Sequence, residues 1–216
     1  MPVCYKIDNE KYTLGLWDLS ENESQLFDDF SKIAPQNEIF KAGKFKYPGR
    51  KSEWIATRLL MYHLLNRVVS IEYHPNGKPI IYDNNQSISI SHTKGMVAVI
   101  IAKDLAGIDI ELVNDRVLRI ENKFMSIIEQ RQICNDNRSI HLLAYWSAKE
   151  TLYKISGANA LDFKKNLHIN PFKLEKNGEF TGEIITNNQK IGYRLNYFIF
   201  EQNDKMANYL IVYYYN

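Results

Sequence analysis

The chain has 216 residues, and its 27 basic side chains nearly cancel 25 acidic ones to leave a formal charge of +2, which excludes a histone-like or generally basic nucleic-acid coat. With 45% hydrophobic residues, 24% charged residues, 14 tyrosines, 10 phenylalanines and 3 tryptophans, it has the material for a buried core and not the composition of a disordered chain. Cys4 and Cys134 are far apart and have no CxxC or Cys/His neighbour, so neither a disulfide scaffold nor a zinc site is expected, and a reducing cytosol is the default compartment.

In chain order, the opening MPVCYKIDNEKY has no apolar signal-like core. The longest apolar runs, MVAVIIA and YLIVYYY, fall far below the roughly 20 residues a membrane helix needs. A soluble cytoplasmic protein without membrane partners is therefore expected. A first strand is predicted over Tyr12 to Leu19 and a helix near Glu21 to Ile33. A second helix, about Lys51 to Val69, is apolar on most faces (Trp54, Ile55, Leu59, Leu60, Leu64, Leu65, Val68), as when both sides are covered. Strands follow at Pro79 to Tyr82, Ser87 to Ser91 and Met96 to Lys103, with Thr93-Lys94-Gly95 as a turn. In the middle one Ile88 and Ile90 alternate with Ser87, Ser89 and Ser91, the period of a half-buried strand.

From Gly107 the order starts again. Gly107 to Leu112 reads as a strand, and helical patterns cover about Val117 to Gln132 and Ser139 to Ser156, the latter stopped by Gly157. Three or four strands complete the chain, punctuated by Lys176-Asn177-Gly178, Asn187-Asn188-Gln189 and Gln202-Asn203-Asp204. The fold class expected is α+β, in two similar lobes spanning 1–103 and 104–216.

The chemistry concentrates in the second half. Asp109 and Glu111 leave the same side of their strand with Cα atoms about 6.6 to 6.8 Å apart, while Ile108, Ile110 and Leu112 turn inward. Carboxylates converging to roughly 5 Å repel by about 3 kcal/mol at an effective dielectric near 20, a penalty that a cation removes. A solvated polar face has the same pattern. On the helix after it, Trp146, Glu150 and Lys154 stand at i, i+4 and i+8, and Lys149 is rotated about 100° away. A surface Glu-Lys pair has that spacing too, but the tryptophan beside it implies a covered stripe. Three hard oxygen donors on two rigid elements suit Mg²⁺ held together with substrate phosphates.

These residues, in this order, resemble the 4'-phosphopantetheinyl transferase superfamily, specifically its large pseudo-dimeric Sfp type. The matching motifs are GIDIE at Gly107 to Glu111, WSAKETLYK at Trp146 to Lys154, NGKP at Asn76 to Pro79, SISHT at Ser89 to Thr93, RKSEWIATR at Arg50 to Arg58, and KFMS at Lys123 to Ser126 with Glu129. The resemblance spans Arg50 to Gly157. It implies two α+β lobes related by a pseudo-twofold axis, coenzyme A in the cleft between them, and transfer of its phosphopantetheine arm to a serine of an apo acyl or peptidyl carrier protein, leaving adenosine 3',5'-bisphosphate.

On that footing Asp109, Glu111 and Glu150 are the expected Mg²⁺ ligands. Glu150, directly or through a water, is the first candidate to take the serine proton, and Glu129 the second, by resemblance only. Lys154, and less simply Lys149, would stabilise phosphate charge. Lys78 and the Ser91-His92 pair match positions that approach the nucleotide and its phosphates, and Arg50 and Arg58 match more loosely. The basic run Lys41, Lys44, Lys46, Arg50 and Lys51 offers positive density for a 3'-phosphate or is a solvated loop. A metal-dependent nuclease is the rival enzyme class, but its lysine normally follows the strand acid by two residues, where Val113 stands after Glu111. A non-catalytic CoA or carrier-binding module is the rival without chemistry. Small members of the family, about half this length, assemble the cleft between subunits, so a chain holding both lobes is expected to be a monomer that binds no nucleic acid.

Overall fold

The computed structural model of the protein describes residues 3–81, 85–158, 160–186, 189–202 and 206–216. Its backbone contacts divide into two units, Met1–Leu105 with Tyr215–Asn216, and Ala106–Tyr214. Among the described residues there are three sheets and six α-helices, a mixed α/β protein.

The first unit begins with β1 (Val3–Asp8) and β2 (Tyr12–Asp18), followed by helices α1 (Glu23–Ile33), α2 (Gln36–Gly43) and α3 (Pro48–Leu65). A two-stranded ribbon of β3 (Glu72–Tyr73) and β4 (Pro79–Ile80) and the hairpin of β5 (Ser87–Thr93) and β6 (Met96–Ala102) complete it. The main sheet runs β1-β2-β6-β5, antiparallel throughout. All of MVAVIIA in β6 is buried, as a central strand covered on both faces requires. Helix α3 crosses β2 and β6 with α1 on its other side, so Ile55 to Tyr62 are buried all round. It starts with Pro48 in its first turn and ends at Asn66 in the left-handed region (φ 52°), which leaves Val68 outside the helix and 44% exposed. Strand β1 and helix α2 are elements the sequence reading missed. Helix α1 begins two residues later than expected because Asn22 caps it, accepting from Gln25 N at 2.8 Å. In β5 the serines are not the wet face: Ser89 is 5% and Ser91 7% exposed. The Pro79 strand stops at Ile80, and Tyr82 lies outside the described residues.

The second unit carries β7 (Ala106–Leu112), a 3₁₀ turn (Asp115–Arg119), α4 (Glu121–Phe124), α5 (Ile127–Gln130) and α6 (Arg138–Ser156), then β8 (Leu167–Ile169), β9 (Asn177–Thr186), β10 (Gln189–Gln202) and β11 (Ala207–Tyr215). The sheet order is β7-β11-β10-β9-β8. Helix α6 lies on β7, β8 and β9 and buries Leu142, Ala144, Tyr145, Ala148 and Leu152 completely. Gly157, at φ 63°, ends it as predicted.

The single helix expected over Val117 to Gln132 is instead three short turns. Met125 is extended, and Ser126 opens a new helix through a capping box: its hydroxyl accepts from Glu129 N while the Glu129 carboxylate accepts from Ser126 N. Asn177-Gly178, read as a turn, starts β9 and pairs with Phe198 and Tyr197. Of the other two turns, Asn187, Asn188, Asn203 and Asp204 fall outside the described residues.

Candidate active site

In the second unit, β7 and α6 meet unusually closely because of Gly107. A Cβ there would overlap Ile155 Cγ2 and stand 3.2 Å from both Thr151 Cγ2 and the Thr151 carbonyl oxygen. The approach brings the two acidic strand residues within reach of the helix. Trp146 Nε1 donates to Glu111 Oε1 at 2.9 Å, and two turns later Lys154 Nζ donates to Asp109 Oδ1 at 2.9 Å and to the Ile108 carbonyl at 2.8 Å. Glu150 sits between those two ties on the same helical stripe. Burial pushes its carboxyl up to about 7; Asp109 and Glu111 add to the rise and Lys154 opposes it. Asp109 is only 4% exposed, so this stripe is not a solvated polar face.

Glu150, whose ionisation Asp109 and Glu111 oppose, forms with them a set of hard oxygen donors whose repulsion a divalent cation would relieve, and in kind they fit Mg²⁺. They are not assembled as ligands here: among the described residues no three Asp, Glu, His or Cys side chains are grouped to hold a metal ion. Lys154 engages Asp109, and Trp146 engages Glu111.

Glu150 also lines a cavity of about 720 Å³ walled by Phe124, Trp146 and Phe163, with Lys123 and Lys164 along it. The Trp146 ring meets Phe124 edge-on at 5.2 Å and stacks on Phe163 at 5.6 Å. Phe163 follows α6 in an irregular segment with no periodicity to announce it, and the sequence reading missed it. Two expected catalytic side chains stand apart from this wall. Lys149 is fully buried and donates to Glu129 Oε2, the Phe124 carbonyl and the Phe163 carbonyl, each at 2.8 Å. Glu129, 2% exposed, also accepts from Ser126 N at 2.8 Å and Ile169 N at 3.1 Å. The 100° turn between positions 149 and 150 sends the lysine inward. In this arrangement the two groups form a buried ion pair.

The first unit gathers part of the expected CoA set. Arg50, Glu53, Trp54, Thr57 and His92 line a cavity of about 280 Å³. Arg50 Nη1 donates to Glu53 Oε2 at 3.1 Å and lies 3.4 Å from His92 Nε2, while His92 Nδ1 lies 3.5 Å from the same carboxylate oxygen. Glu53, missed from the sequence, stands one turn from Arg50, and that i,i+3 spacing was the available signal. Lys78 sits in the turn between β3 and β4, beside the lining residues Gly77 and Pro79. Two residues of the expected set are buried. Ser91 and His92 are neighbours on a strand and face opposite ways, so Ser91 is buried on the other face of the sheet. Arg58 also lines this cavity, but it is 2% exposed, donates to the buried Glu38 and lies 3.3 Å from the centre of the Trp54 ring, its charge already matched. The basic run is also spoken for in part: Lys41 pairs with Glu38, Lys51 with Glu23, and Lys44 lies over Phe40.

No curated protein sequence matches the chain. Residues 106–211, almost the whole second unit and the segment that carries Asp109, Glu111, Glu150 and Lys154, match the family model of the 4'-phosphopantetheinyl transferase superfamily. That match assigns residues 106–211 to the 4'-phosphopantetheinyl transferase superfamily.

Proposed function

We propose that the protein is an Sfp-type holo-carrier-protein synthase, which moves the 4'-phosphopantetheine arm of coenzyme A to a serine of an apo acyl or peptidyl carrier protein and releases adenosine 3',5'-bisphosphate. The observation that carries this reading is the placement of Glu150 between Asp109 and Glu111 by the ties from Lys154 and Trp146. Asp109, Glu111 and Glu150 would hold Mg²⁺, which when bound neutralises charge on the pyrophosphate. Glu150 takes the proton from the carrier serine as its Oγ bonds to phosphorus and the bond from phosphorus to the adenosine bisphosphate oxygen breaks. Lys154 stabilises the phosphate oxygens. Arg50, Lys78 and His92 take the nucleotide phosphates, and Glu53 keeps the first and last of them oriented. Glu129 and Lys149 act through position, by holding the cavity wall. In this reading 1–103 and 104–216 are duplicated lobes; in support, each unit carries an antiparallel-strand sheet and one long helix against it. The chain acts as a cytoplasmic monomer.

The test is intact-mass analysis of several apo carriers incubated with the protein, CoA and Mg²⁺. At least one should gain a phosphopantetheine arm, and Asp109→Ala and Glu150→Ala should lose transfer by on the order of 100-fold or more while keeping the wild-type circular dichroism. CoA binding without modification of any carrier would turn the protein into a binding module, and full activity in both variants would remove these residues from the mechanism.

A further inference from the structure

Ile127 and Ile128, consecutive residues of α5, are each 70% exposed. A single exposed aliphatic residue is ordinary, whereas an adjacent pair held out of the core marks a contact surface. The turn that carries them cannot fold them away. Its next residue, Glu129, is 2% exposed and accepts from Ser126 N, Ile169 N and Lys149 Nζ, so the inner side of α5 is clamped and the isoleucines are left on the outer one. Cations flank the pair: Lys123 precedes Ile127 by four residues and Arg131 follows it by four. Both are exposed, and neither is in an ion pair among the described residues. The acids of this stretch are already engaged, Glu121 by Arg138 at 2.6 Å, Asp115 by the Ser139 hydroxyl at 2.6 Å and Glu129 by Lys149 at 2.8 Å. The patch is therefore apolar at its centre and carries unmatched positive charge at both ends, unlike the basic run of the first unit, whose lysines are largely paired.

We infer that Lys123, Ile127, Ile128 and Arg131 form the docking surface for an acidic amphipathic helix of the apo carrier protein. The inference rests on the reading of the protein as a carrier-protein synthase. Charge complementarity selects the partner's chemistry: apolar side chains of such a helix cover the two isoleucines while its carboxylates meet Lys123 and Arg131. Position selects the carrier among acidic partners. Lys123 and Phe124, just before α5, line the cavity that Glu150 also lines, so a protein seated on the isoleucines lies beside the place where its serine has to react. Because the capping box and the Lys149 clamp hold α5 in place before any partner arrives, little ordering is needed on binding. The surface is separate from the acidic stripe, so it decides which carriers are served and not how fast the bound serine reacts.

The test compares the full-length wild type with two double variants, Ile127→Ser with Ile128→Ser and Lys123→Glu with Arg131→Glu. Binding of fluorescently labelled apo carriers is read by anisotropy, and transfer is followed with carrier and CoA varied in turn. The serine variant should weaken carrier binding and raise the carrier KM by roughly tenfold, the scale of losing interface anchors, with kcat and the KM for CoA unchanged; a general folding defect would move all three. The charge-reversed variant should raise the carrier KM as well and lose the weakening by added salt that the wild type shows. Wild-type carrier binding and KM in both variants overturn the docking surface and leave the transferase standing. Carrier binding that the variants weaken, without transfer by the wild type, keeps the surface and overturns the reaction. No binding of any carrier by the wild type overturns both. Phosphatidylglycerol vesicles bound by the wild type and not by the serine variant, with the carrier KM unchanged, would make the patch a membrane contact and overturn the inference.

Discussion

Lys149 places all three of its hydrogen bonds inside the second unit, on the Glu129 carboxylate and on the carbonyls of Phe124 and Phe163. Burial lowers its pKa, and the Glu129 charge and hydrogen bond work against that fall. The two carbonyls belong to residues whose rings pack against Trp146 in the cavity wall, so one ammonium sets the spacing of the aromatic wall beside Glu150. Removing it leaves Glu129 as an uncompensated buried charge, a far larger loss than that of an exposed pair. Lys149→Met should therefore cost about 3 to 5 kcal/mol in urea unfolding, and pairing it with Glu129→Gln should recover part of that loss because the stranded charge is gone. A loss below about 1 kcal/mol, the level of a solvated pair, would mean that the side chain is not clamped as described. Nothing in WSAKETLYK separates this lysine from Lys154 except helical angle. That angle was legible, but its consequence was not, since the partners Phe124, Glu129 and Phe163 come from three different segments.

At the scale of elements, the site depends on β7 lying flat against α6, and the glycine of GIDIE is what allows it. Gly107→Ala would drive a methyl into Ile155 and against the Thr151 backbone, which the tightly packed helix can relieve only by moving away from the strand. A loss of about 1 to 3 kcal/mol is expected from such overpacking, measured by urea unfolding. It should come with reduced transfer, because Lys154 and Trp146 would no longer reach Asp109 and Glu111. Unchanged stability would show that helix and strand have slack. Elements with strong internal period were readable in advance: α6 with its terminal glycine, α3 with its all-round apolar pattern, and the β5, β6 and β7 runs. The broken helix between Val117 and Gln132 was not, although its cause is local. Ser126-x-x-Glu129 is a capping box, and a glutamate viewed as a candidate base concealed a helix start. Helix α2 was missed because Pro35 gives it no side-chain cap, and the burial of its Glu38 depends on Arg58 from another helix as well as on Lys41 one turn on. Ser89 and Ser91 misled the alternation argument because polarity marks a wet face only where the second face of a sheet is left uncovered.

On the scale of the whole molecule, the acidic stripe and the Arg50-Glu53-His92 group belong to different units of one chain. Strand and helix periods made each group visible locally, but no local pattern reports whether the two serve one substrate molecule. The proposed reaction requires that they do, since the nucleotide phosphates and the attacked phosphorus are parts of the same CoA. If one chain supplies both groups, the working species is a monomer, and light scattering should return the chain mass of 25.3 kDa. A stricter check comes from mixing two inactive proteins, one with Arg50→Ala and His92→Ala, the other with Glu150→Ala. When a site is assembled within each chain, every site in the mixture carries one defect or the other, and transfer stays at the sum of the two residual rates. When sites are shared between copies, some pairings combine an intact phosphate group with an intact acidic stripe, and activity reappears on mixing. The expected outcome is no recovery at any ratio or concentration; recovery would place the functional cleft between two chains and overturn the single-chain reading.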